Sequence, residues 1–531
     1  MVDLVLKNGL VVDGARSAPY KADVCIQAGK ICGIVPDYDG EAKESLDVGG
    51  MVVSPGFIDI HTHSDVSPLV SYLVESKLCQ GVTFELGGSC GISLLPSNEK
   101  HQSAIHDYFT RNLEQPVGDL RLKEYSVTDY AEQVAKKGCI LNYGAQVGHG
   151  TLRLAVMGFD NRDPSPQEMN ELKELLDREL SRGVFGMSLG LIYPPSAYSK
   201  KEELIELAKI VKKHNAILTV HMRNESVRLF EAVDEMLEIA EQSGVHLHIS
   251  HLKLMGTPQW GRAQELLDKL QAAREKGLTI TCDQYPFNAS STSIAVLVPG
   301  WAHEGGTAAM LERLEKREGT IMADIEKEMK NRGGPACVLV TGTHGQRSDY
   351  EGKTIEDLSK IFGLSGVDTV AKVILDCKAQ VSCVYFSMSE EDVKLIMRDL
   401  AIAIGSDGYS LSYDPAITTS VPHPRNFGSF PVYLQTAIRE NLLPLEDVIY
   451  KITGLPAEIL RLDGRGVLKA GNIADITVFD PKTVENKSTY MESRVKPAGI
   501  PHVLIGGQFA LRDGVTTNLR SGGVILRTNK A

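Results

Sequence analysis

Residues 199–221 read SKKEELIELAKIVKKHNAILTVH. The first part repeats apolar residues at helical spacing behind a Ser199–Glu202 capping box, and the last part is a short apolar run ending in a histidine. The same unit recurs on both sides. Upstream, Ser165 and Glu168 make another capping box with Pro166 at the first helical position, Leu172, Leu176 and Leu180 follow at helical spacing, and Gly183 stops the helix before the strand-like VFGMSLGLIY (184–193). Downstream, helical 227–244 precedes VHLHISH (245–251), and helical 263–277 precedes LTITCDQYP (278–286). Strand and helix alternating about every 30 residues is the βα unit of a parallel sheet. Such a barrel gathers its chemistry at the C-terminal ends of the strands, which here carry His221, His251 and Tyr285.

Outside this middle the pattern changes. The first 50 residues and the C-terminal GVLKAGNIADITVFD and HVLIGGQFALRDG alternate apolar and polar residues between glycine turns. We expect one small β domain built from both termini, 1–54 and 465–531, around an α/β barrel at 55–464. Charged helical sequence at about 295–345 breaks the barrel rhythm and reads as an insertion over its mouth.

Composition narrows the class. A chain of 531 residues with 43% hydrophobic and 23% charged residues is an ordinary soluble globular protein. Its net charge of −12 gives no basic footprint for nucleic acid. No run approaches the roughly 18 apolar residues of a membrane span, and the start does not read as a signal peptide. Nine scattered cysteines without CxxC pairs fit a reducing compartment, so a cytoplasmic location is expected.

The candidate chemistry lies at strand ends. In GFIDIHTHSD (56–65), His61 and His63 stand two apart on a strand-like approach and can face one cation. Cys90 sits alone among the glycines of ELGGSCGIS (85–93), where it has little to pack against, and AIAIGSDG (401–408) delivers Asp407 at the end of an apolar run. HxH pairs are common and an aspartate before glycine is usually a turn former. Four histidines, one thiol and one carboxylate at one barrel mouth are nonetheless metal-ligand chemistry in type and number, and imidazole with thiolate suits zinc.

The order and spacing of SPGFIDIHTHSD, GSCGIS, GHGTLR, GLIYPP, VHMRNE, ISHLK, DQYPF, GSDG and HPRNFGSFP resemble the N-acyl-D-amino-acid deacylases (D-aminoacylases) of the amidohydrolase superfamily. The resemblance implies a metal-dependent (β/α)8 TIM-like barrel beside a small β-sandwich, hydrolysing the amide of N-acyl-D-amino acids, a small-molecule substrate. By it, Cys90, His221 and His251 hold a tight zinc, and His61, His63 and Asp407 a second, weaker metal. Asp407 is then the proton shuttle. Lys253, Tyr285, Arg425, Ser291 and Tyr193 become substrate contacts, with Met388 part of the wall around the substrate side chain. His149, at a strand end, is either a group behind the ligands or a packed histidine, and His246 and His248 read as structural.

Two features depart from the resemblance. The segment between Asp407 and Arg425 is several residues longer than expected, and Glu85 stands where an apolar strand residue is expected. A buried carboxylate there must be paired, solvated or protonated. Two other readings compete: a cyclic-amide or isoaspartyl-peptide hydrolase on the same barrel, and a non-catalytic, metal-free barrel. No lysine at a convincing strand end offers the carboxylated bridge of the first, and the second has no physical need of six ligand-type residues.

Overall fold

The computed structural model describes residues 1–531 apart from 98–99, 113–124, 418–419, 518 and 529–531. Its centre is a barrel of eight parallel strands: β1 (Phe57–Asp59), β2 (Val82–Gly87), β3 (Asn142–Ala145, continued by Val147–Gly148), β4 (Gly186–Gly190), β5 (Ile217–His221), β6 (His246–Ile249), β7 (Ile280–Gln284) and β8 (Ile402–Ile404). β1, β2 and the first half of β3 pair in that order, and the second half of β3 pairs with β4, from which β5 to β8 continue. Closure between β8 and β1 combines a bridge between Thr62 and Gly408, with Asp407 N on His61 O and His63 N on Gly408 O, both 2.9 Å, and buried side-chain ties from Asp59 to Ser406 N (2.9 Å) and to Lys77.

The strands are short apolar runs because helices cover their outer side. β2, β4 and β5 are buried at every position. The helix Pro166–Ser181 forms the Ser165–Glu168 box in full. The second expected box does not form. The helix starts at Lys201 without a side-chain cap, because the Ser199 hydroxyl donates to Ser196 O (2.7 Å) and closes the preceding turn instead.

The insertion is larger than the expected 295–345. Ala289–Ser293 and Val338–Gly342 both pair antiparallel with Ser382–Phe386. The helices between them bury their own core, including Ile294, Met310, Ile325, Val370 and Tyr385. The long segment after Asp407 reaches this lobe, with Val421 N donating to Thr341 O (2.9 Å).

Strands from both ends of the chain, from Val2–Val11 to Val515–Thr516, form one nine-stranded sheet around Leu6, Val11, Val24, Ile476 and Leu504. The chain beyond leaves that sheet. Gly522 and Val524 bridge to Cys139 and Tyr143, against β3. All nine cysteines are free. Among the described residues no helix is long and apolar enough to cross a membrane.

Candidate metal centre and cavity

The expected donors converge at the C-terminal ends of the strands. His61 and His63 follow β1, Cys90 follows β2, His221 ends β5, His251 follows β6 and Asp407 follows β8. All six side chains are buried. Cys90, His251 and Asp407 have φ of +53°, +38° and +52°. That left-handed region disfavours residues carrying a Cβ, and such strain collects where a site needs it. The approach to Cys90 is tight: a Cβ on Gly190 would meet Cys90 O at 1.9 Å, so only glycine fits on the facing strand.

One ligand atom from each of His61, Cys90, His251 and Asp407 fits within 4.8 Å of the others, and His221, Glu225 and His251 make a second such group. Cys90 Sγ lies 3.4 Å from His61 Nε2 and 3.4 Å from His251 Nε2, and His61 Nε2 lies 3.3 Å from Asp407 Oδ1. Donors around a tetrahedral ion at about 2.0–2.3 Å sit roughly 3.3–3.8 Å apart, so this spacing fits a zinc-sized cation. His63 Nε2 joins through Asp407 Oδ1 at 3.1 Å, and His221 Nδ1 lies 2.8 Å from His251 Nε2.

The electrostatics point the same way. Burial opposes charge on every member, yet the acids are held ionised and several bases charged. Despite burial, His61 and His251 hold the Cys90 thiol well below its usual range. Despite burial, Arg425 and His251 do the same for Asp407. Asp283, Cys90 and Asp407 outweigh burial to lift His61 well above an ordinary imidazole, and His63 and His251 rise to about 9. The concentrated negative charge draws protons onto the imidazoles, and a bound cation would take their place.

Two carboxylates behind the donors escaped the sequence reading. Asp283 on β7 lies 3.1 Å from His61 Nδ1 and 2.8 Å from His248 Nε2, and accepts from His251 N (2.8 Å). Glu225 lies 3.0 Å from His251 Nδ1 and 3.5 Å from His221 Nε2, and accepts from Lys253 Nζ at 2.6 Å. Its only signal was its place four residues after His221 in VHMRNE. His248, expected to be structural, thus stands one carboxylate away from a donor. His149 is held by Ser196 and Glu203, at 2.7 and 2.8 Å, and His246 by Thr281.

Beside the donors opens a cavity of about 740 Å³, lined among others by His63, Tyr193, Lys253, Ser291, Arg332 and Arg425. Arg425 donates to Asp407 Oδ2 (2.6 Å) and to Ser291 O (3.0 Å). Tyr193 OH lies 3.1 Å from Thr292 Oγ1. Tyr285 does not line the cavity. Its ring underlies Arg425 and Lys253 at 5.3 and 5.8 Å, and its buried hydroxyl has no hydrogen-bond partner among the described residues. Met388, expected in the wall around the substrate side chain, packs in the apolar cluster that holds Tyr285 and Met255, and Met255 lines the cavity together with Ser291, Ser293, Arg332 and Ser382 of the inserted lobe.

The amidohydrolase family profile matches residues 44–510. The chain belongs to this family. Within it, the chain is 32% identical to a D-aminoacylase of Alcaligenes xylosoxydans xylosoxydans over 527 residues, 99% of this chain and 98% of the relative. It is 32% identical to an N-acyl-D-glutamate deacylase of the same organism over 95% of this chain and 93% of the relative. The crystal structure of N-acyl-D-glutamate deacylase from Bordetella bronchiseptica, complexed with zinc and a phosphonate mimic of the tetrahedral intermediate, superposes with a TM-score of 0.82 at 29% identity. That match covers 99% of this chain and 100% of the other.

Proposed function

We propose that this amidohydrolase cleaves the amide of N-acyl-D-amino acids, releasing a carboxylic acid and a free D-amino acid. The observation that carries the reading is the Arg425–Asp407 pair, 2.6 Å apart at the edge of the donor cluster. A guanidinium that already grips one carboxylate there would hold a substrate α-carboxylate beside the donors, with the scissile amide over them.

A zinc ion on Cys90, His221 and His251, with a weaker second position at His61, His63 and Asp407, would polarise the carbonyl and acidify a water. The chain's own residues do the rest. When the substrate carboxylate draws Arg425 away, Asp407 Oδ2 becomes free to accept the proton of the attacking water and pass it to the leaving nitrogen. Lys253, oriented by Glu225, adds a second cation for the carboxylate, and Tyr285 supports both from below. Ser291 and Tyr193 line the substrate's path. Free thiols throughout fit a cytoplasmic setting.

Amine release from paired N-acetyl-D- and N-acetyl-L-amino acids, in protein shown to carry zinc, tests the reading. Turnover confined to the D-series is expected. Silence across the panel would overturn it and move cyclic amides and isoaspartyl peptides forward.

A further inference from the structure

Glu85 has no part in the chemistry above, yet it is 2% exposed in the middle of β2, on a barrel strand otherwise made of Val82, Thr83, Phe84, Leu86 and Gly87. Ser64 Oγ donates to its Oε1 and Ser410 Oγ to its Oε2, both at 2.7 Å. Ser410 N donates in turn to Ser64 Oγ (2.8 Å). Ser64 follows His63 and Ser410 lies three residues after Asp407, so one carboxylate ties together the two loops that carry these donors. It does so at the β8–β1 seam, which Ser406 N on Asp59 Oδ1 (2.9 Å) and Lys77 between Asp59 and Ser406 also join.

Among the described residues no cation is hydrogen-bonded to Glu85. Lys77 is engaged by Asp59 (2.9 Å) and by Ser406, and Arg520, which shares a cavity of about 360 Å³ with Glu85, donates to Gly138 O and Ser71 O. The other ionisable groups facing it are Asp59 on β1, Tyr143 on β3, Tyr130 and Cys139. Burial accordingly raises the carboxyl to about 7. Packing alone would favour an apolar residue here, because an unpaired buried carboxylate costs stability.

We propose that Glu85 is a positioning residue: through Ser64 and Ser410 its carboxylate sets the spacing of His63 and Asp407, at a cost in stability. The proposal rests on the metal-centre part of the function above.

The sign of the stability cost follows from linkage. A carboxyl whose folded pKa lies above its ordinary value contributes stability that is present at low pH and lost as pH rises through about 7. Neutral E85Q should therefore melt higher than the parent protein at pH 8.5, by roughly 3 °C, and lose the advantage near pH 4.5. An amide has only one accepting oxygen, so E85Q should also fall about tenfold in kcat, with a smaller change in KM, and bind zinc more weakly at the second position in chelator competition. S410A removes one arm of the tie and leaves the charge. It should reproduce the loss of kcat and zinc affinity without the gain in melting temperature.

Unchanged kcat and zinc affinity in both variants would overturn the proposal, as would an E85Q that melts below the parent at every pH. Melting and zinc binding need no substrate. A failure of the deacylase reading therefore leaves these arms standing, and they alone decide the role of Glu85.

Discussion

The donor cluster and the carboxylates behind it differ in how they are built. Each donor stands at or just past the end of a barrel strand, His61 and His63 sharing β1, and three of them in a strained backbone conformation. Asp283 and Glu225 have ordinary backbones and serve several partners at once: Asp283 holds two histidine side chains and a backbone amide, Glu225 two histidines and a lysine. The donors form a list of separable parts. The carboxylates form the frame that fixes tautomer and aim. Removing a part should cost the ion, whereas removing the frame should cost precision.

The largest effect is expected from the cluster. C90A, or H251A at the residue shared by both donor groups, should lose zinc from the purified protein and drop kcat/KM by roughly a thousandfold, the size of a few kcal/mol of lost transition-state stabilisation. Elemental analysis beside steady-state kinetics checks both halves. A C90A protein that keeps zinc and activity would break the comparison at its first side.

D283N sharpens the other side. The amide keeps the shape but presents one acceptor where His61, His248 and His251 N converge, and its NH2 opposes a ring N–H. A loss of about 10–100-fold in zinc affinity or activity is expected. Loss as large as that of C90A would make Asp283 inseparable from the donors, and no loss would make it mere packing.

The same contrast explains what the sequence made legible. The βα rhythm, the strand-rich segments at both ends and six ligand-type residues near strand ends could be read because short apolar runs, glycine stops and rare residue types mark them. The count of eight strands and the split of the six residues between two metal positions came from resemblance alone. Asp283 is one of 68 acids, and nothing in LTITCDQYP separates it from a strand-end turn former until β6 and β7 are paired. Ser199 carried a sound capping box and lost it to a turn made by its own upstream neighbours. Met388 was placed at the side-chain wall by resemblance alone, since its own segment carries no signal for that role. The inserted lobe was under-measured, because its flanking strands Ala289–Ser293 and Ser382–Phe386 lie nearly a hundred residues apart and only pairing joins them.

The cavity wall of this lobe carries the smallest effect, and one beyond both parts of the comparison. Arg332 caps the lobe helix Ile321–Asn331 and faces the cavity, with Nε on Glu328 (2.8 Å) and its guanidinium 5.0 Å over the Tyr385 ring. Lys253 and Arg425 have their terminal nitrogens engaged by Glu225 and Asp407, whereas those of Arg332 donate to no acceptor among the described residues. A cation with open donors, distinct from the proposed α-carboxylate clamp of Arg425 and Lys253, suits a second negative group on the substrate. R332M keeps the volume and removes the charge. It should lower kcat/KM for N-acetyl-D-glutamate or N-acetyl-D-aspartate about tenfold, the scale of one charge-assisted hydrogen bond, and leave N-acetyl-D-leucine within about twofold. Equal losses on both would place Arg332 in the fold of the lobe, and a gain confined to leucine would mean that the wall already favours apolar side chains.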